Sequence, residues 1–227
     1  MLKKEWVVKL KPDYFLNMPM RIIKASLIIA GSLVWVACNL RANEVTLYKN
    51  DDPQLKTAIF AGGCFWCMEP PFEKLDGVKE VYSGYTGGKI AAPTYKQVAY
   101  GKTTHREAVL VLYDPKKIEY TALLEVFWRQ INPTQANGQF VDIGPHYSSA
   151  IYATKAQKPL AAKSKENLIK TKKFSKPIVT PILDAEKFWL AEEYHQDYYK
   201  KSPANYYRYR MGSGRDDFLE QTWQKPK

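Results

Sequence analysis

The sequence predicts an α+β fold with a mixed sheet. Three observations carry this. Strand-like and helix-like stretches intermix along the chain without a regular βαβα alternation. The stretch Arg106–Tyr113 alternates with period two, Glu107, Val109, Val111 and Tyr113 on one face and Ala108, Leu110 and Leu112 on the other. Both faces are apolar apart from Glu107, which marks a central strand with one polar exception. Leu123, Leu124, Phe127, Trp128 and Ile131 recur at helical spacing as an amphipathic stripe.

Residues 43–54 are polar and read as an extended leader or linker. Residues 55–61 form the first strand. Gly62 and Gly63 follow, allowing a sharp turn without a Cβ penalty. Cys64 then stands at or just before a helix start, between the turn and two large aromatics, Phe65 and Trp66. Unpaired backbone N–H groups there favour a thiolate. Cys67 lies three residues on, within disulfide reach if the local geometry is helical or turn-like. Pro70 and Pro71 are tolerated only in a first turn, so regular helix is expected to begin around residues 67–69 and to end by Leu75, before Asp76-Gly77. Residues 78–85 are a second strand and 93–100 a short helix. Asp114-Pro115 turns the chain into the amphipathic helix, which Asn132-Pro133 ends.

Residues 134–147 form a loop rich in Gly, Pro, Asn and Asp, a type that is often functional. Residues 148–153 are a strand. Thr154 and Gln157 resemble a capping box opening a Lys-rich helix to about Lys173, with Pro159 in tension with it. Residues 178–183 are a strand whose Pro181 points to a sheet edge. Residues 188–201 are partly helical, and the tail from Ser202 is aromatic and basic.

The chain has 227 residues and a formal net charge of +11. Residues 1–19 precede a basic segment, 20–24, and an uncharged run, 25–37, so Met20 is a candidate start. Residues 20–42 fit a signal peptide or an N-terminal anchor; an ordinary buried helix is the plain alternative. Export, to a periplasm or held on a membrane, is the expectation; a cytoplasmic protein is the alternative if the segment does not signal. Cys38 faintly suggests a lipid-modified cysteine. Beyond residue 42 there are 27 Lys and Arg against 21 Asp and Glu, a net of +6 mixed in sign, which demands no polyanionic partner. Residues 55–227 suffice for one domain with one core. Only Cys64 and Cys67 remain there, too few for a structural disulfide framework.

Seven motifs then fall in order: Gly63-Cys64-Phe65-Trp66-Cys67, Gly84-Tyr85-Thr86-Gly87-Gly88, Pro93-Thr94-Tyr95, His105-Arg106-Glu107-Ala108-Val109, His146-Tyr147-Ser148-Ser149, Tyr194-His195-Gln196-Asp197 and Ser213-Gly214-Arg215-Asp216. From about Lys56 to Phe218 the chain resembles the peptide methionine sulfoxide reductases of the A type. The resemblance implies a ferredoxin-like two-layer sandwich with long wrapping coils. It implies reduction of methionine-S-sulfoxide, free and in proteins, with Cys64 as the nucleophile and Glu107 as the acid that protonates the sulfoxide oxygen. Tyr95 and Tyr147 match hydroxyl donors to that oxygen. Asp142 matches a substrate-orienting carboxylate, although Val141-Asp142-Ile143-Gly144 departs from the usual run. Phe65 and Trp66 match the pocket for the S-methyl group, whose binding rests on dispersion and area burial.

Cys67 is the candidate resolving thiol, since no cysteine follows it. Regeneration is expected from an external thioredoxin-like thiol, with no bound cofactor or metal, no nucleic acid and a monomer. Taken without their motifs, each of these residues has a plainer role: Cys64 and Cys67 as buried thiols, Glu107 as a strand-end acid, the tyrosines and aromatics as core. Glu192 and Glu193 read as surface or packing around the site, and His105, His146 and His195 as structural. Three other functions compete: a thioredoxin-type oxidoreductase, a zinc module using both cysteines with two histidines, and a polyanion-binding protein.

Overall fold

The computed structural model describes residues 45–223; the export segment and Cys38 lie outside the described residues. The main sheet is built from β1 (Lys56–Ala61), β2 (Val78–Thr86), β3 (Arg106–Tyr113), β6 (Ala150–Ala153), β7 (Ile182–Asp184) and β8 (Trp189–Leu190), in the order β7-β6-β1-β3-β2-β8. β3 is central, as its two apolar faces require. All neighbours are antiparallel except β6 and β7, which run parallel, so the sheet is mixed. Registers Phe60↔Val109 and Phe60↔Ile151 align the apolar residues of three strands on one face.

That face is covered by α1 (Phe65–Glu73), α3 (Tyr120–Trp128) and α4 (Lys158–Lys170). Phe60 stacks on Phe72 of α1 at 5.3 Å and on Phe127 of α3 at 5.1 Å. Each such buried ring contributes about 2–3 kcal/mol through area removed from water. The predicted stripe of α3 is buried throughout, at Leu123, Leu124, Phe127 and Trp128. The opposite face carries Ile59, Leu110, Leu112 and Tyr152, packed against Tyr48, Phe188, Leu183 and Leu190. Two coils therefore wrap this side. One is the presumed leader: Tyr48 N–H donates to Phe188 C=O at 2.9 Å, and Leu190 N–H to Thr46 C=O at 2.7 Å. It runs extended but is docked.

Several boundaries differ from expectation. α1 starts at Phe65, not 67–69, and holds Pro70 and Pro71 in its interior. The 134–147 loop contains a small hairpin, β4 (Gly138–Gln139) and β5 (Asp142–Ile143), followed by a 3-10 turn at Pro145–Tyr147. Short α2 (Tyr95–Ala99) is opened by a full capping box of Thr94 and Gln97. The Thr154–Gln157 box forms, and Pro159 is harmless because it falls in the first turn of α4. β7 is an edge strand but begins after Pro181. Residues 188–201 hold β8, a 3-10 turn at Glu193–His195 and the short α5 (Tyr198–Lys201). The aromatic, basic tail is two helices, α6 (Pro203–Gly212) and α7 (Arg215–Trp223). No described helix is long and apolar enough to cross a membrane.

Candidate active site

The turn after β1 is dictated by its neighbours. Gly63 has φ +85°, and a Cβ there would meet Gln139 Cβ at 2.7 Å and Arg215 Nη2 at 2.8 Å. A Cβ on Gly62 would meet Met68 Sδ at 2.5 Å. No other residue type fits either position, and the turn delivers Cys64 to the N-cap of α1. Cys64 is buried, 6% exposed. Its thiol neighbours that of Cys67 one turn on, and Cys67 N–H donates to Cys64 C=O at 3.1 Å. Both cysteines are free.

β3 brings Glu107 beneath the helix start, opposite Tyr85 of β2. Its carboxylate, 1% exposed, accepts the Phe65 N–H at 3.1 Å. Burial, with the nearby charge of Asp142, pushes Glu107 up to about 8 despite that hydrogen bond. Glu107 is thus a neutral acid at pH 7.

This alters the expectation for Cys64. The helix N-terminus was expected to favour its thiolate, but Phe65 N–H is taken by Glu107. Burial raises the Cys64 thiol well above its ordinary value, and its pairing with Cys67 and the carboxyls of Glu107 and Asp142 add to it. Cys67 is lowered to about 7 by its pairing with Cys64 and by Arg215 and Arg210, against burial.

Tyr95, first in α2, and Tyr147, in the 3-10 turn, bring their hydroxyls together, and both face Glu107 and Cys64. Burial raises both phenols, so both keep the proton a donor needs. The β4–β5 hairpin presents Asp142, whose carboxylate accepts the Tyr209 hydroxyl of α6. Burial raises Asp142 too, offset by that bond and by Arg215. Phe65 is buried and forms the back wall, packed on Tyr85 and His195. Trp66, half-buried, forms the side: Tyr198 stacks on it at 3.9 Å, Tyr209 meets it edge-on at 6.0 Å, and its Nε1 donates to His195 Nδ1 at 3.2 Å.

All eight residues expected at the site converge. A groove of about 560 Å³ lined by Lys56, Tyr113, Glu119 and Gln157, at the far ends of β1 and β3, contains none of them.

Glu193 lies at the surface, one of the two places expected for it, and pairs with Lys201. Glu192, expected at the surface or in packing, is 5% exposed and accepts the Tyr85 hydroxyl at 2.9 Å and the Tyr95 N–H at 2.8 Å. It fixes the helix that carries Tyr95. Nothing in its neighbourhood of sequence signals this. Arg215 lies in a quoted motif but had no task assigned. His105 holds Gly88 N–H and Ile90 C=O, and His195, lowered to about 4 by burial, is a neutral ring packed among Phe65, Trp66 and Tyr95.

Comparison with known proteins agrees with this geometry. The profile of the family described as peptide methionine sulfoxide reductase matches residues 56–227. The chain is 53% identical over 167 residues to the peptide methionine sulfoxide reductase MsrA of Bacillus subtilis, covering 73% of this chain and 94% of that one. It is 51% identical over 170 residues to its counterpart in Listeria monocytogenes, covering 74% and 96%. Among solved structures, Mxr1 from Saccharomyces cerevisiae in reduced form superposes with TM-score 0.63 at 33% identity, covering 70% and 91%. Methionine sulfoxide reductase A of Corynebacterium diphtheriae gives TM-score 0.60 at 30% identity, covering 67% and 77%. With a profile match across the whole described domain and half its residues shared with these relatives, the chain belongs to the peptide methionine sulfoxide reductase family.

Proposed function

We propose that this chain reduces methionine-S-sulfoxide, free and in proteins, to methionine through Cys64. The observation that carries the reading is the convergence on one thiol of a neutral buried carboxyl, Glu107, and two protonated phenols, Tyr95 and Tyr147. Sulfoxide oxygen leaves sulfur only once it is protonated or strongly hydrogen-bonded, and these are the donors for it. Asp142 orients the substrate, and its S-methyl group lies against Phe65 and Trp66. In the net step the sulfoxide and the Cys64 thiol become a sulfide and a Cys64 sulfenic acid, with no proton consumed. Glu107 gives its proton to the oxygen, and the loss of the thiol proton balances it.

Cys67 then resolves the sulfenic acid, forming a Cys64–Cys67 disulfide and water. The one-turn spacing of the two cysteines, with Cys67 N–H donating to Cys64 C=O at 3.1 Å, supports this pairing. A thioredoxin-like external dithiol reopens the disulfide by exchange, so no bound cofactor is needed. Peptide mass mapping after one oxidising turnover is expected to find Cys64 linked to Cys67; a sulfenic acid that persists without that linkage removes Cys67 from the mechanism.

The core is read as ferredoxin-like: the order β6-β1-β3-β2, antiparallel throughout, with α1 after β1 and α3 after β3 on one face, supports this. The enzyme acts as a monomer, without nucleic acid. Export is supported by the basic 20–24 segment and the uncharged 25–37 run. N-terminal sequencing of the mature protein is expected to begin close after residue 42; an intact residue 1 or 20 on a protein in the cytoplasmic fraction refutes export.

A further inference from the structure

We propose that Arg210 and Arg215, carried by the two C-terminal helices, are positioning residues for the second chemical step: together they seat Cys67 as the attacking thiolate beside Cys64. The inference rests on the reading of Cys67 as the resolving thiol.

The seat begins with the prolines of α1. Pro71 has no N–H, so the carbonyl of Cys67, four residues earlier, has no helical donor. Arg210 Nη1 supplies one from α6, at 3.1 Å. Its guanidinium is held in turn by Asp216, with Nε at 2.8 and 3.1 Å from the two carboxylate oxygens and Nη2 at 2.6 Å. A break that ordinarily weakens a helix is here the attachment point for a cation at the backbone of Cys67.

Arg215 is the second part. It is 1% exposed, under the Gly62-Gly63 turn. It donates to the carbonyls of Gln130 and Gly62, the latter at 3.0 Å, lies 3.7 Å from Met68 Sδ, and covers the Phe140 ring at 4.6 Å. Among the described residues no carboxylate lies within ion-pair distance of it. An uncompensated buried charge is costly, and neighbouring groups that can ionise do so to meet it. Two such groups face it, Asp142 and Cys67. The Asp142 carboxylate accepts the Tyr209 hydroxyl, and Cys67 is the thiol that shares the field of this cation with it. Asp142 acts against a charge on Cys67; Glu107 and the phenols of Tyr206 and Tyr209, which face it as well, keep their protons and so carry no opposing charge at pH 7.

In the step itself, the Cys67 thiolate attacks the sulfur of the Cys64 sulfenic acid. The S–S bond forms, the S–O bond breaks, and hydroxide leaves with a solvent proton as water. The Cys64 sulfur is reduced to the disulfide level and the Cys67 sulfur oxidised to it. A thiolate lying in place before the sulfenic acid forms shortens the life of that oxidisable species.

The test is a single turnover on free methionine-S-sulfoxide, quenched over time and over pH. Methionine release and the Cys64–Cys67 linkage are followed separately by mass. In Arg210→Ala, closure of the linkage is expected to slow about tenfold at pH 7 and its pH midpoint to rise by about one unit, with trappable sulfenic acid building up behind it. Arg210→Lys, which keeps the charge, is expected to bring the midpoint back. Arg215→Met is expected to do the same as Arg210→Ala; because it also empties a buried site, the Arg210 pair decides if that variant does not fold. Closure in Arg210→Ala at the wild-type rate and midpoint overturns the inference and leaves Cys67 as the resolving thiol. A wild type that never forms the linkage overturns the role of Cys67, and the inference with it.

Discussion

Cys64→Ser is expected to abolish reduction of methionine sulfoxide, by about 10⁴-fold or more, the scale of losing a covalent nucleophile. A serine hydroxyl at this N-cap keeps the shape of the site but cannot accept oxygen from sulfur. The fold is expected to survive, because Cys64 makes no side-chain cap and its backbone bond to Cys67 N–H remains. The measurement is turnover of free methionine-S-sulfoxide with a dithiol reductant in excess. Retained turnover, in a protein shown to be free of wild type, refutes the assignment.

Glu107→Gln is expected to lower kcat by about 10²–10⁴-fold with little change in KM, the usual size of a positioned acid. Glutamine is isosteric and its oxygen still accepts the Phe65 N–H, so the turn that holds Cys64 stays in place. Only the transferable proton is lost. The sign of the pH dependence follows. Glu107 titrates at about 8, raised from the ordinary carboxyl range, and it works in its protonated form. Wild-type reduction of sulfoxide, measured as first-turnover methionine release, is therefore expected to fall as pH rises through about 8. The glutamine variant is expected to lack that fall. An unchanged rate with poorer affinity instead makes Glu107 a binding group.

Much of this was legible in the chain. Gly62-Gly63 before Cys64 encodes the turn, because only glycine suits the positive φ at Gly63 and the space both positions leave. The period-two pattern of residues 106–113 gives β3 its central place and puts Glu107 on the same face as Val109 and Val111, which is the face the helices cover. The spacing of Leu123, Leu124, Phe127 and Trp128 gives α3. The order of seven motifs points to the site residues at once. Local rules misjudged α1, where Pro70 and Pro71 were pushed to a first turn. They are tolerated in the interior because a carbonyl they release is met by Arg210, 143 residues away in sequence.

By itself, then, the sequence determined the turn, the strands and helix faces near it, and which side chains meet at Cys64. The tertiary structure alone decided their protonation and their support. Glu192 reaches Tyr95 across 97 residues and Arg215 reaches Gly62 across 153, and such contacts carry no periodicity to read. A proton's place depends on how much water a group loses and which charges it meets. That is why the helix end expected to ionise Cys64 instead serves Glu107, and burial holds the Cys64 thiol up.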